Sequence, residues 1–227
     1  MTESLLFDVL FHAAAVAVSP EAIFSSILVL MTNRARSNSI AYLLGWLTGL
    51  CMVLAIVLAF DDIVAGGGGP LPKSDVAGFL RIGFGAVLLL LAANRWRKRR
   101  RAGQVPLEPR WLGVVERFGP KRCFVWGFIL SGLNPKNVAL TVTGALHLSL
   151  FAPSLAAELM AVAAFIVIGS STVAAPGVLY VFAGNRAQTT LQRTRAWLIR
   201  HSDRFIIALF LVFGLKLTGD GVANLFF

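Results

Sequence analysis

Apolar residues gather along this chain in six stretches, at about residues 5–31, 39–60, 76–95, 123–150, 155–182 and 204–225. A helix needs roughly 20 such residues to cross a bilayer core, so the pattern predicts an all-α integral membrane protein with six transmembrane helices. Two of the six are interrupted. Ser19-Pro20-Glu21 lies near the middle of the first run and Asn134-Pro135-Lys136-Asn137 near the middle of the fourth. Proline removes a backbone donor and clashes with the preceding turn, which frees carbonyls that lipid cannot satisfy. Such breaks persist where neighbouring helices or a polar cavity repair them, as in the interrupted helices of secondary transporters.

The segments between the runs alternate in charge. Residues 32–38 carry Arg34 and Arg36, residues 95–122 carry the run Arg95, Arg97, Lys98, Arg99, Arg100 and Arg101, and residues 183–203 carry Arg186, Arg193, Arg195 and Arg200. The intervening segments are acidic or neutral: Asp61, Asp62 and Asp75 surround the Gly66–Gly69 tract, residues 151–154 are uncharged, and the tail has Asp220 alone. The positive-inside rule then gives one orientation, with the three basic loops cytoplasmic and both termini outside. Three spans on each side of the basic linker enter the membrane from opposite faces. Aligned on proline, Val18-Ser19-Pro20-Glu21 meets Leu133-Asn134-Pro135-Lys136, and Lys73-Ser74-Asp75 and His201-Ser202-Asp203 each precede a third span. The chain is expected to be a single membrane domain, 1–227. It divides into a first repeat (1–95), a basic cytoplasmic linker (96–122) and a second, inverted repeat (123–227), the first helix of each repeat being broken. Trp111, Val114, Val115 and Phe118, and more weakly Leu191, Thr194, Trp197 and Leu198, have the spacing of helices lying in the headgroup region, though a plain amphipathic connector fits the same pattern and is the reading preferred.

Composition agrees with a membrane setting. Hydrophobic residues make up 57% and charged residues 14%, against roughly 25% charged in soluble domains. Mean hydropathy is +0.76. The net charge of +10 invites a nucleic-acid reading. The basic run from Arg95 to Arg101 directly abuts an apolar span, however, and so reads as a cytoplasmic face for anionic lipid heads. Cys51 and Cys123 have no partner at a metal or CxxC spacing and read as small buried hydrophobes. Glu3 and Asp8 replace the basic start of a signal peptide, so the first run is expected to be a retained helix. No HExxH, phosphate loop or nucleophile elbow occurs, and His12 and His147 lack the company of a metal site. Neither enzyme chemistry, cofactor nor metal is expected; energy comes from an ion gradient or a partner.

Ionisable groups inside a membrane are costly and face a cavity or a partner. Glu21 and Lys136 occupy matching places in opposed halves and can meet near the pseudo-two-fold axis. Three readings stay open: Glu21 as a proton-binding carboxylate, Lys136 and the freed amides as a holder of an anionic head group, or a static ion pair fixing helix register. Asn134 and Asn137 can satisfy either freed carbonyls or a bound polar group. Ser170, Ser171 and Thr172 precede Pro176 in the fifth run, where small residues and hydroxyls suit packing at a proline kink; the four are also candidates for the translocation path. Gly45 and Gly49 have the spacing of a close helix crossing, expected to be internal rather than between two copies of the chain. Lys216 and Asp220 form a local pair that snorkels outward, and Arg81 reads the same way.

Ser19-Pro20-Glu21-Ala22-Ile23, Arg34-Ala35-Arg36, Ala41-Tyr42-Leu43-Leu44-Gly45-Trp46, Arg95-Trp96-Arg97, Pro109-Arg110-Trp111-Leu112 and Asn134-Pro135-Lys136-Asn137 together resemble the GAP family. These are the glycopeptidolipid- and sulfolipid-addressing proteins of the lysine-exporter (LysE) superfamily. The resemblance extends to Arg195-Ala196-Trp197-Leu198, nearly the whole chain. It implies two inverted three-helix halves in the plasma membrane of an actinobacterium. It also implies delivery of complex glycolipids toward the cell surface, often alongside a large RND-type lipid transporter. By that likeness Ser19, Pro20, Asn134, Pro135, Lys136 and Asn137 fall on the family's two signature breaks, while Glu21 departs from the apolar or small residue expected there. The leading expectation is a transporter or transport subunit for a lipid or lipid-linked molecule. The alternatives are a proton-coupled exporter of a small polar metabolite or ion, and a non-transporting accessory subunit of a lipid-export complex.

Overall fold

The computed structural model of the chain describes residues 2–67, 73–101, 118–151, 154–183 and 186–226. They form eight helices and, among the described residues, no strand. The first apolar run is split into α1 (Thr2–Ala17) and α2 (Pro20–Leu30), and the fourth into α5 (Pro120–Gly132) and α6 (Pro135–Phe151). The other runs lie in α3 (Ala35–Gly67), α4 (Lys73–Arg101), α7 (Leu155–Ala183) and α8 (Arg186–Phe226). Pro20 and Pro135 each open a helix, a position where the missing N–H has no intrahelical partner to lose and the fixed φ already suits the helix. The chain turns by 47° between α1 and α2.

Four segments are long and apolar enough to cross a membrane: Ala35–Ala59, Gly78–Arg97, Leu155–Phe182 and Ile206–Ala223, with the bent α1–α2 pair making up to five. Helices α5 and α6, at 13 and 17 residues, are each shorter than the roughly 20 residues of a typical crossing. Large apolar side chains face outward along these helices, among them Leu90 and Val167 at 69% and Phe182 at 86% exposure. A water-soluble monomer seldom carries such a surface. The protein is a multi-pass membrane protein.

One expectation about the basic segments changes. Leu191, Thr194, Trp197 and Leu198 do not form a separate interfacial helix, because α8 runs unbroken for 41 residues. No glycine or proline occurs from Arg186 to Phe213, and nothing in that stretch ends a helix. Trp111, Val114 and Val115 lie outside the described residues.

Small residues set the two longest contacts, α3 along α5 and α4 along α8. A Cβ on Gly45 would overlap the carbonyl oxygen of Phe124, and one on Gly127 the carbonyl oxygen of Tyr42. The expected internal use of the Gly45 and Gly49 face is thus what the fold requires, since only glycine lets these backbones touch. Helix α1 packs on α6 and α7, α2 packs on α3, α7 and α8, and α6 packs on α3 and α4. The main apolar cluster takes residues from all eight helices, with Trp46, Leu50, Leu140, Phe165 and Leu217 fully enclosed. The two breaks sit inside this bundle.

Candidate functional site

A helix that ends inside a membrane leaves its last carbonyls without intrahelical donors. At the end of α1 every one of them has found a partner. Ala14 O accepts the Val18 N–H at 2.9 Å, and Ala17 O accepts the Ser19 N–H at 2.8 Å. Ser19 Oγ lies 2.7 Å from Val16 O. Thr172 Oγ1 of α7 donates to Ala17 O. The remaining two, Ala15 O and Val18 O, accept from Lys136 Nζ at 3.2 and 3.0 Å. Lys136 comes from the first turn of α6, so the second break repairs the first.

An ammonium has three protons and no acceptor. Lys136 places its third on Ser19 Oγ at 2.6 Å, and the side chain is 1% exposed. A cation here also meets the negative end of the α1 dipole. Burying a charge is tolerated only when hydrogen bonds replace its hydration, and three of them do so here. None of the hydrogen bonds of Lys136 goes to Glu21. Its Oε1 instead accepts from Asn134 Nδ2 at 3.2 Å, while Oε2 is buried with no hydrogen-bond partner. Asn134 caps α6 at the same time, its Oδ1 accepting the Lys136 N–H at 3.1 Å. Asn137 completes the junction: Nδ2 donates to Leu130 O at 2.7 Å, closing the end of α5, and Oδ1 lies 3.1 Å from Ser19 Oγ.

The structure therefore brings Ser19, Pro20, Glu21, Asn134, Pro135, Lys136 and Asn137 into one junction, with Thr172 joining from α7. Its neighbours on α7 point elsewhere. Ser171 is exposed and bonds back to Ile168 O at 2.7 Å, Ser170 is buried with no partner for Oγ, and Pro176 is buried within the helix. Arg95 is half-buried and Arg97 exposed at the end of α4; the side chains of Lys98, Arg99, Arg100 and Arg101 lie outside the described residues. Lys216 and Asp220 pair at 2.7 Å as expected, but Arg81, at 2% exposure, is buried and does not snorkel. Its position on the α4 face that packs against its neighbours overrides the length of its side chain.

Sequence reading missed a second layer of polar contacts that holds α2 in place. Tyr42 Oη of α3 donates to Ala22 O at 2.9 Å, Ser26 Oγ donates to Val173 O at 2.8 Å, and Trp126 Nε1 of α5 donates to Ser25 Oγ at 3.1 Å. In the sequence Tyr42 stood out only as part of the family-like stretch Ala41–Trp46, with no partner indicated. Further along α1 and α6 the buried rings of His12 and His147 lie 5.6 Å apart.

No curated protein and no solved structure matches the chain. A family model does, described as Sap, sulfolipid-1-addressing protein, over residues 9–223. That match runs from α1 into α8 and encloses both breaks with every residue of the junction, and the chain belongs to the sulfolipid-1-addressing protein family.

Proposed function

We propose that this chain is a membrane transporter, or the transport subunit of a larger assembly, that delivers a glycolipid or another lipid-linked molecule to the cell surface. The observation that carries the reading is the meeting of two helix breaks around the buried Lys136. Two short helices hinged at one hydrogen-bonded junction can tilt against each other without exposing backbone to lipid, which is what alternating access demands. The family description supplies the substrate class, a lipid bearing a polar head.

Packing supports the inverted-repeat part of this reading. Exchanging α1–α4 with α5–α8 turns the α3–α5 contact into α7–α1, α3–α6 into α7–α2, and α4–α6 into α8–α2, and all six contacts occur. On this reading the spans are α1–α2, α3, α4, α5–α6, α7 and α8 of a LysE-like fold in the plasma membrane. The basic segments face the cytoplasm and both termini face out. No reaction chemistry is assigned. A large RND-type lipid transporter is the partner that the family likeness suggests. A homodimer would need a surface other than the Gly45 and Gly49 face, which α5 occupies.

One observation favours a second reading, proton-coupled export of a small polar metabolite: the buried and unpartnered Glu21 Oε2. Deleting the gene in its host separates the two. Surface-extractable glycolipid is expected to fall while the total pool is kept and amino-acid efflux is unchanged. Lost efflux with an unchanged surface lipid profile would overturn the lipid reading.

A further inference from the structure

Helix α2 leads away from the junction for 11 residues, about 16 Å at the α-helical rise. That is about half the thickness of a bilayer core, so with the break near the midplane the far end of α2 reaches the membrane surface. At that end a cavity of about 720 Å³ opens between the α2–α3 turn and the last turns of α7, lined by Thr32, Arg34, Arg36, Ser37, Ile40 and Tyr180 among others. Its chemistry is two-sided. Both arginines are exposed, and neither is ion-paired to a carboxylate among the described residues. Thr32 and Ser37 spend their hydroxyl protons on Val29 O and Arg34 O, and Thr32 Oγ1 also accepts from Asn38 Nδ2, so the two guanidinium forks are the donors this lining offers an anion. The first turn of α3 begins here, with its positive dipole end toward the same space. On the other side are apolar groups that face outward: Met31, Ile40, Leu44, Val178 and Val181 are 42%, 53%, 51%, 53% and 69% exposed.

We propose that this cavity binds the phosphate- or sulfate-type head group of a membrane lipid, with its acyl chains lying along the outward faces of α3 and α7. Guanidinium forks match tetrahedral oxyanions in shape and charge. The apolar rim gives the attached chains a path that stays in the bilayer, which a free anion does not need. Helix α2 joins this site to the junction directly, and α7 is tied to both sides of the break: Ser26 of α2 donates to Val173 O of α7, and Thr172 of α7 donates to Ala17 O of α1. The inference rests on the lipid-handling reading and names the cytoplasmic-side docking site for the substrate's head.

The test is lipid binding by the full-length chain in a neutral detergent, read by native mass spectrometry with phosphatidylglycerol, sulfatide and phosphatidylcholine. Wild type is expected to prefer the two anionic lipids. The double variant Arg34→Gln/Arg36→Gln loses that preference by about 30-fold, the worth of two basic side chains at a membrane surface. The exposed Arg193→Gln on α8 leaves it unchanged, and inorganic sulfate at matched concentration does not compete. Wild-type affinity in the double variant would overturn the site while leaving the export reading intact. Competition by sulfate as strong as by sulfatide would overturn the lipid assignment in favour of a free anion. Equal affinity of wild type for all three lipids would count against both the site and the lipid reading.

Discussion

Replacing Lys136 with methionine is expected to abolish surface delivery of lipid and to lower the unfolding temperature of the purified chain. Methionine fills the same volume, so packing changes little and the effect isolates the ammonium. Its removal strips Ala15 O and Val18 O of donors in a place where neither water nor lipid supplies others. Each buried orphan costs about 1–3 kcal/mol, and the loss at Ser19 Oγ adds to the total, so destabilisation of about 3 kcal/mol or more follows. Lys136→Arg keeps the charge but is not expected to rescue function. A planar fork cannot point three protons at acceptors that converge on one atom. Unfolding in detergent and extraction of surface lipid from cells carrying each variant check both halves. Wild-type stability in Lys136→Met would mean that the α1 carbonyls have another source of donors.

Gly45→Leu is expected to be the most damaging change away from the junction. The α3–α5 contact is backbone against backbone, and a side chain at Gly45 must displace the Phe124 carbonyl. Backbone cannot yield as a flexible side-chain tip can, so the cost exceeds about 3 kcal/mol and the yield of monodisperse protein collapses. Gly83→Leu supplies the control, because a Cβ there meets nothing within 4 Å. A similar loss in both variants would show that leucine at any span glycine is damaging and that the close crossing is not the cause.

The breaks themselves were legible in the sequence because proline acts locally: it fixes its own φ and ends the preceding helix wherever it stands. So was the glycine crossing at Gly45 and Gly49, since the spacing of small residues on one face already limits which face can approach a neighbour. The partners across the junction were not. Glu21 and Lys136 looked like a pair because opposite charges at matching positions attract. The C-terminal end of α1 presents Ala15 O, Val18 O and Ser19 Oγ together, and Lys136 bonds to these while Glu21 turns to the Asn134 amide. Deciding between a carboxylate and a set of carbonyls needs the crossing geometry of α1 and α6, which no local pattern contains. Thr172 was noticed as one of three hydroxyls, yet only the packing of α7 on α1 selects it over Ser170 and Ser171. The length of α8 shows the opposite lesson. Amphipathic spacing near Trp197 was real, but with no breaker residue the helix simply continued.

The central claim is that the second break donates its lysine to the carbonyls of the first. Val18-Ser19 is the only Val-Ser step in the chain, so carbonyl-labelled valine and amide-labelled serine select one carbon by solid-state NMR. In lipid bilayers, dipolar recoupling between that carbon and the 15Nζ of Lys136 should give a separation of about 4 Å, the 3.0 Å N···O contact extended by the carbonyl bond. Absence of any dipolar contact between Lys136 Nζ and the Val18 carbonyl, in protein that retains its fold, would contradict the account.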